Sequence, residues 1–161
     1  MEFWVVNASP LISLGKAGYL DILLQLPDKI IVPQAVVQEI VAGPGGDPAK
    51  YFLENGKIPV VETSTSVEIL AWDLGKGETS VLSYALSNPG WTVILDDLAP
   101  RKCAKSYAIP IRGTLAIIIL ARKKRLLPSA REGLLALQNA GMRLDDEIIR
   151  IALKRELGED W

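Results

Sequence analysis

The chain has 161 residues, 49% of them apolar, with a formal net charge of −1, one cysteine and no histidine. That length and apolar share suit one domain with a substantial core, and the near-zero charge exerts no overall pull on nucleic acid, so any such binding needs a local basic patch. Lone Cys103 excludes an internal disulfide framework and a thiolate zinc cage, and the lack of histidine removes Ser-His and Cys-His pairs, so carboxylates or lysines must carry any chemistry.

Phe3 to Val6 reads as a first strand and has no basic leader before it, so no signal peptide is expected. The longest aliphatic run, Leu115 to Ala121, falls far short of the roughly 20 residues that cross a bilayer, so no membrane role and a cytoplasmic location are expected. Asn7-Ala8-Ser9-Pro10 turns into a helix from about Pro10 to Leu26, with Ser9 as N-cap. Leu20, Ile22, Leu23, Leu24 and Leu26 make that helix apolar around much of its girth. One face should cover a sheet and the other meet a second copy in a homodimer.

Lys29 to Val32 predicts a second strand, and Pro33 opens a helix over Gln34 to Ala42 that Gly43 closes. After a Gly/Pro loop and a short helix near Ala49 to Asn55, Ile58 to Glu62 predicts an edge strand interrupted by Pro59. Helices over Ser66 to Leu74 and Glu78 to Leu86 flank Gly75-Lys76-Gly77, which lacks the rest of a phosphate-loop pattern. Trp4 and Trp91 read as core strand residues and Trp72 as packed.

Trp91 to Leu95 is apolar without alternation, the mark of a strand covered on both faces, and it ends in the adjacent carboxylates of Asp96 and Asp97. Asp97 could simply cap the following helix, Leu98 to Ala108. Ile109-Pro110-Ile111 could add an edge strand, and helices over Thr114 to Leu127, Ser129 to Ala140 and Asp145 to Leu157 fill the last third. Strands alternating with helices imply an α/β fold: a three-layer α/β/α sandwich around a mostly parallel sheet of four to five strands, one domain over residues 1–161 that includes the C-terminal helices.

In such a sheet ligands gather at the carboxyl ends of the strands. Asn7, Glu39, Glu78 and the pair Asp96 and Asp97 all fall at that end. Each has a bland explanation: an Asx-turn for Asn7, an exposed rim for Glu39, a helix dipole for Glu78. Together they make an all-oxygen site suited to Mg²⁺ or Mn²⁺, ions that promote phosphodiester cleavage. Arg101, Lys102 and Lys105 follow the paired aspartates and could meet an RNA backbone or simply form a solvated face. The cluster Arg122-Lys123-Lys124-Arg125 complements a helix C-terminus.

Asn7-Ala8-Ser9-Pro10-Leu11-Ile12, Val36-Val37-Gln38-Glu39-Ile40, Gly75-Lys76-Gly77-Glu78-Thr79 and Ile94-Leu95-Asp96-Asp97-Leu98-Ala99-Pro100-Arg101, in that order, resemble the PIN-domain superfamily. Within it, the likeness is to a prokaryotic domain-of-unknown-function branch similar to VapC-type toxins. The resemblance spans nearly the whole chain and implies a Mg²⁺- or Mn²⁺-dependent ribonuclease. By motif position Asn7 stands where the family usually has its first aspartate, Glu39 at the second acid, Glu78 at the third, and Asp97 or Asp96 at the fourth, with Asp97 favoured. Ser9 and Thr114 would be polar supports near the substrate. Likeness to the toxin branch also implies a cognate antitoxin protein as partner. Asn7 adds no charge, which lowers the expected metal affinity and activity. It favours, as the alternative, a catalytically silent module that binds RNA or a protein.

Overall fold

The computed structural model describes residues 1–161. Its elements are β1 (Phe3–Val6), α1 (Ala8–Ala17), α2 (Ile22–Gln25), β2 (Lys29–Pro33), α3 (Gln34–Val41), α4 (Pro48–Glu54), β3 (Val60–Val61) and α5 (Val67–Leu70). They continue with α6 (Lys76–Ser87), β4 (Trp91–Ile94), α7 (Leu98–Ser106), β5 (Ile111–Arg112), α8 (Thr114–Lys123), α9 (Ala130–Asn139) and α10 (Asp146–Leu157). The five strands form a sheet in the order β3-β2-β1-β4-β5, and every pairing is parallel. Helices flank the sheet, as the alternation of apolar strands and amphipathic segments requires.

The central strands explain why their sequence shows no alternation. Trp4, Val5 and Val6 in β1 and Val93 and Ile94 in β4 are all fully buried, and neighbours along a strand point to opposite faces, so both faces are covered. Over one stretch of the sheet α6 packs on β1, β2 and β4 and beside α3, while α1 joins α8 and α9. The edge strands β3 and β5 have two residues each, and the short exposed edge limits pairing with other chains.

Several boundaries differ from the sequence reading. The first helix begins two residues early, with Asn7 as N-cap in place of Ser9, and Pro10 occupies its first turn, where an amide hydrogen has no intrahelical partner anyway. It also stops at Gly18, whose φ of 83° is left-handed and whose N–H donates to the Leu14 and Gly15 carbonyls. A one-turn α2 follows. Leu20, Ile22, Leu23 and Leu26 are buried in the chain's own core, and only Leu24 of that apolar set is exposed. The helix expected over Ser66 to Leu74 shrinks to the single turn of α5, ended by Asp73 at φ 55°. Trp72, expected to be packed, is 37% exposed in that turn. No helix is long and apolar enough to cross a membrane.

Strand order reverses between β1 and β4, since β2 and β3 extend the sheet to one side and β5 to the other. A crevice therefore opens beyond the carboxyl ends of these two strands, where no connection crosses. The Asn7 N–H donates to the Ile94 carbonyl at 3.1 Å, so Asn7 and the turn that starts at Leu95 stand side by side at its mouth.

Candidate active site

Asn7 is 3% exposed and has an extended backbone (φ −84°, ψ 167°), yet its side chain does not cap α1. It makes no side-chain hydrogen bond within the chain, and no sealed polar side-chain atom lacks a partner, so what little of Asn7 meets solvent includes its amide. Glu39 projects from α3, exposed at the rim as one of the two sequence readings had it. Gly77 lies between them. A Cβ there would stand 3.3 Å from Glu39 Oε1, 3.4 Å from Val36 Cγ2 and 3.5 Å from Asn7 Oδ1. The glycine is thus a cradle beside the two oxygens, where an added methyl would just touch them, a position hidden in the sequence, where Gly75-x-Gly77 reads only as a failed phosphate loop.

Glu78, the next residue, lies in the first turn of α6 and is half-buried. A helix N-terminus favours the anion, but here the opposing effects win. Burial, then the charge of Asp97, then that of Glu39 hold its carboxyl above the usual carboxylate range. Glu39 on α3, Glu78 on α6 and Asp97 just before α7 therefore share one electrostatic neighbourhood. None of the chain's ion pairs involves any of them.

The two adjacent aspartates part company. Asp97 occupies the N-cap position of α7, but its side chain accepts no capping hydrogen bond, so capping does not account for it and its exposed carboxylate stays free. Asp96 turns the other way. Its Oδ1 accepts from the Thr114 N–H and its Oδ2 from the Thr114 hydroxyl, both at 2.7 Å. Thr114 is fully buried at the start of α8, so Asp96 ties the β4–α7 turn to the N-terminus of α8. Replacing Thr114 with valine keeps the volume and removes one of the two bonds. The expected cost is about 1–3 kcal/mol, or about 2–12 °C in thermal midpoint for a chain of this size, read by a circular-dichroism melt. An unchanged midpoint would refute the tether.

Ser9, half-buried in the first turn of α1, makes no side-chain hydrogen bond, and Arg101 is half-buried on α7 with Lys102 and Lys105 exposed beside it. Arg101 Nη1 and Asp96 Oδ1 crowd Gly113, at 2.8 and 3.1 Å from where its Cβ would be. The sequence also concealed the ion pair of Arg112 with Glu2, which joins β5 to the residue before β1 across most of the chain.

The DUF3368 family model, described as a PIN domain, matches residues 3–159. The chain belongs to the PIN-domain family. No curated protein matches it. A PIN domain has a nuclease-type fold, and members of the family typically use divalent metals. Three carboxylates without a cation partner and one amide oxygen beside the Gly77 cradle fit a hard divalent ion in charge and in oxygen type. As they stand, no three acidic side chains close tightly around one point. The set is an open anionic wall.

Proposed function

We propose that this PIN domain is a Mg²⁺- or Mn²⁺-dependent endoribonuclease. The observation that carries the reading is Glu78, a half-buried carboxylate with two carboxylate neighbours and no cation to offset them, at the switch point of a parallel sheet. Glu39, Glu78 and Asp97 would hold the ion, and Asn7 would contribute a neutral oxygen. When bound, such an ion supplies Lewis-acid polarisation of a phosphoryl oxygen. Arg101, Lys102 and Lys105, on the helix that Asp97 precedes, would hold the anionic RNA backbone, with Ser9 a further polar contact. Asp96 would act through Thr114, holding the turn that presents Asp97.

The decisive experiment is cleavage of labelled single-stranded RNA in the presence of Mn²⁺, comparing wild type with a Glu78→Gln, Asp97→Asn double variant. Wild type is expected to cut, to stop on chelation with EDTA and to recover with added Mn²⁺. Equal activity in the double variant would trace the cutting to a contaminant. A second reading, a silent PIN module that binds RNA or a protein without cutting, is favoured by Asn7, which leaves the wall one charge short of the family's usual set. Retained RNA binding with no cleavage would support it. By likeness to the toxin branch, the proposal extends to a toxin role with an antitoxin covering the cleft; the homodimer is proposed from the apolar girth of the first helix, of which only Leu24 stays exposed. A light-scattering mass of one chain would remove the homodimer.

A further inference from the structure

A second cleft, of about 490 Å³, runs between α8 and α10 and is lined by none of Asn7, Glu39, Glu78 and Asp97. Its floor is wholly aliphatic: Leu115, Ala116, Ile119 and Leu120 from α8 face Ile148 and Ala152 from α10. The spacing on each helix is that of a single stripe, and Ile148 remains 58% exposed. The polar lining is strongly biased in sign, with Arg101, Arg112, Lys123 and Arg155 against the one acid, Glu156.

We propose that this groove docks an amphipathic helix with acidic flanks, contributed by a partner protein. An aliphatic floor between two helices matches the apolar face of a third. The cationic rim selects acidic residues beside that face. Lys123 and Arg155 share Glu156, and Arg101 has no ion-pair partner, so the rim holds charge in excess of what the chain itself answers. These pairs are solvent-exposed and exchange readily for an incoming carboxylate. A nucleic-acid strand suits the groove less well, because its lining contains no aromatic ring on which bases could stack.

One end of the groove reaches Arg101 and Gly113, against which Asp96 also packs. A docked helix would therefore end beside the turn that carries the paired aspartates. Docking itself needs neither metal nor cleavage, so it can fail or succeed independently of the nuclease reading.

The test is fluorescence anisotropy of the full chain with a labelled peptide of about 16 residues that bears leucines along one helical face and glutamates on either side. Binding with a Kd on the order of tens of micromolar is expected. It should weaken about tenfold or more in both Ile148→Glu and Arg155→Glu, and stay unchanged in Lys16→Glu on α1. Both groove positions are exposed, so the fold should survive, as a circular-dichroism melt will verify. The same peptide with lysine for each glutamate should not bind. No binding up to about 1 mM, equal binding of the lysine peptide, or binding that neither groove variant weakens would overturn the assignment. So would a single-stranded RNA whose affinity falls in both groove variants, which would give the groove to RNA.

Discussion

Glu78→Gln is expected to lower RNA cleavage by about 100-fold or more and, at pH 7 without divalent cation, to raise the thermal midpoint. The two effects share one cause. Glutamine keeps the shape of the side chain but removes a charge that burial, Asp97 and Glu39 all oppose. Because the folded-state pKa lies above that of the unfolded chain, the native state holds the proton more tightly. Stability must then fall as pH rises from the ordinary carboxylate range through the folded value. Wild type carries this penalty at pH 7, and the glutamine variant does not. Well below the ordinary carboxylate range both side chains are neutral in the folded and unfolded chain, so the difference should vanish there.

Solvent screening at a half-open position limits the gain to about 1 kcal/mol or less, about 2–4 °C. Divalent cation should reverse the order. Mn²⁺ at about 100 times its Kd would stabilise wild type by about 2.7 kcal/mol, and the variant by much less. Differential scanning fluorimetry over pH, with and without Mn²⁺, reads all of this. A midpoint lowered by Glu78→Gln at pH 7 would mean that the carboxylate is compensated in some other way, and the argument for a cation would fail.

Asn7→Asp should act in the opposite sense on both properties. The site is 3% exposed, and Oδ1 of Asn7 and Oε1 of Glu39 lie on either side of the Gly77 cradle. A carboxylate of nearly identical shape there adds charge to a wall that is already anionic and partly desolvated. Without a cation the cost should be about 1–3 kcal/mol, a fall in midpoint of about 2–12 °C. With Mn²⁺ present, a further unit charge a few ångströms from a dication is worth more than about 1.4 kcal/mol even at an effective dielectric near 20. Affinity should therefore rise tenfold or more. Isothermal titration gives the number directly, and cleavage should rise with it. An aspartate variant that binds Mn²⁺ no better than wild type would place the ion, or the chemistry, somewhere other than beside Asn7.

Much of this molecule can be argued from local patterns. Trp91 to Leu95 lacks alternation because both faces of β4 are covered, and that alone points to a parallel sheet between helix layers. Pro59 and the brevity of its segment mark β3 as an edge for a backbone reason, the missing donor. Polar groups placed just after apolar strands fall at the end of a parallel sheet where ligands collect, so Asn7 and the aspartate pair stand out before any coordinates are known. Asp145 and Ser129 cap their helices through a side-chain oxygen that meets amides two or three residues on. Asn7 and Asp97 hold N-cap positions too, yet their side chains are not spent on capping, which the sequence alone does not show.

Residue order therefore determined the class of fold, the direction of its strands and the set of acids available to a site, because these follow from periodicity, turn chemistry and the chirality of crossovers. The two aspartates of the pair are told apart by Thr114, 18 residues further along the chain, whose amide and hydroxyl draw Asp96 aside, while Asp97 acts on Glu78. Glu39 and Asn7, far apart in the sequence, are likewise brought to the same glycine, Gly77 of a third element, only by packing. Adjacent residues of one type carry identical local signals, so only a partner brought in from a distance by packing can tell them apart.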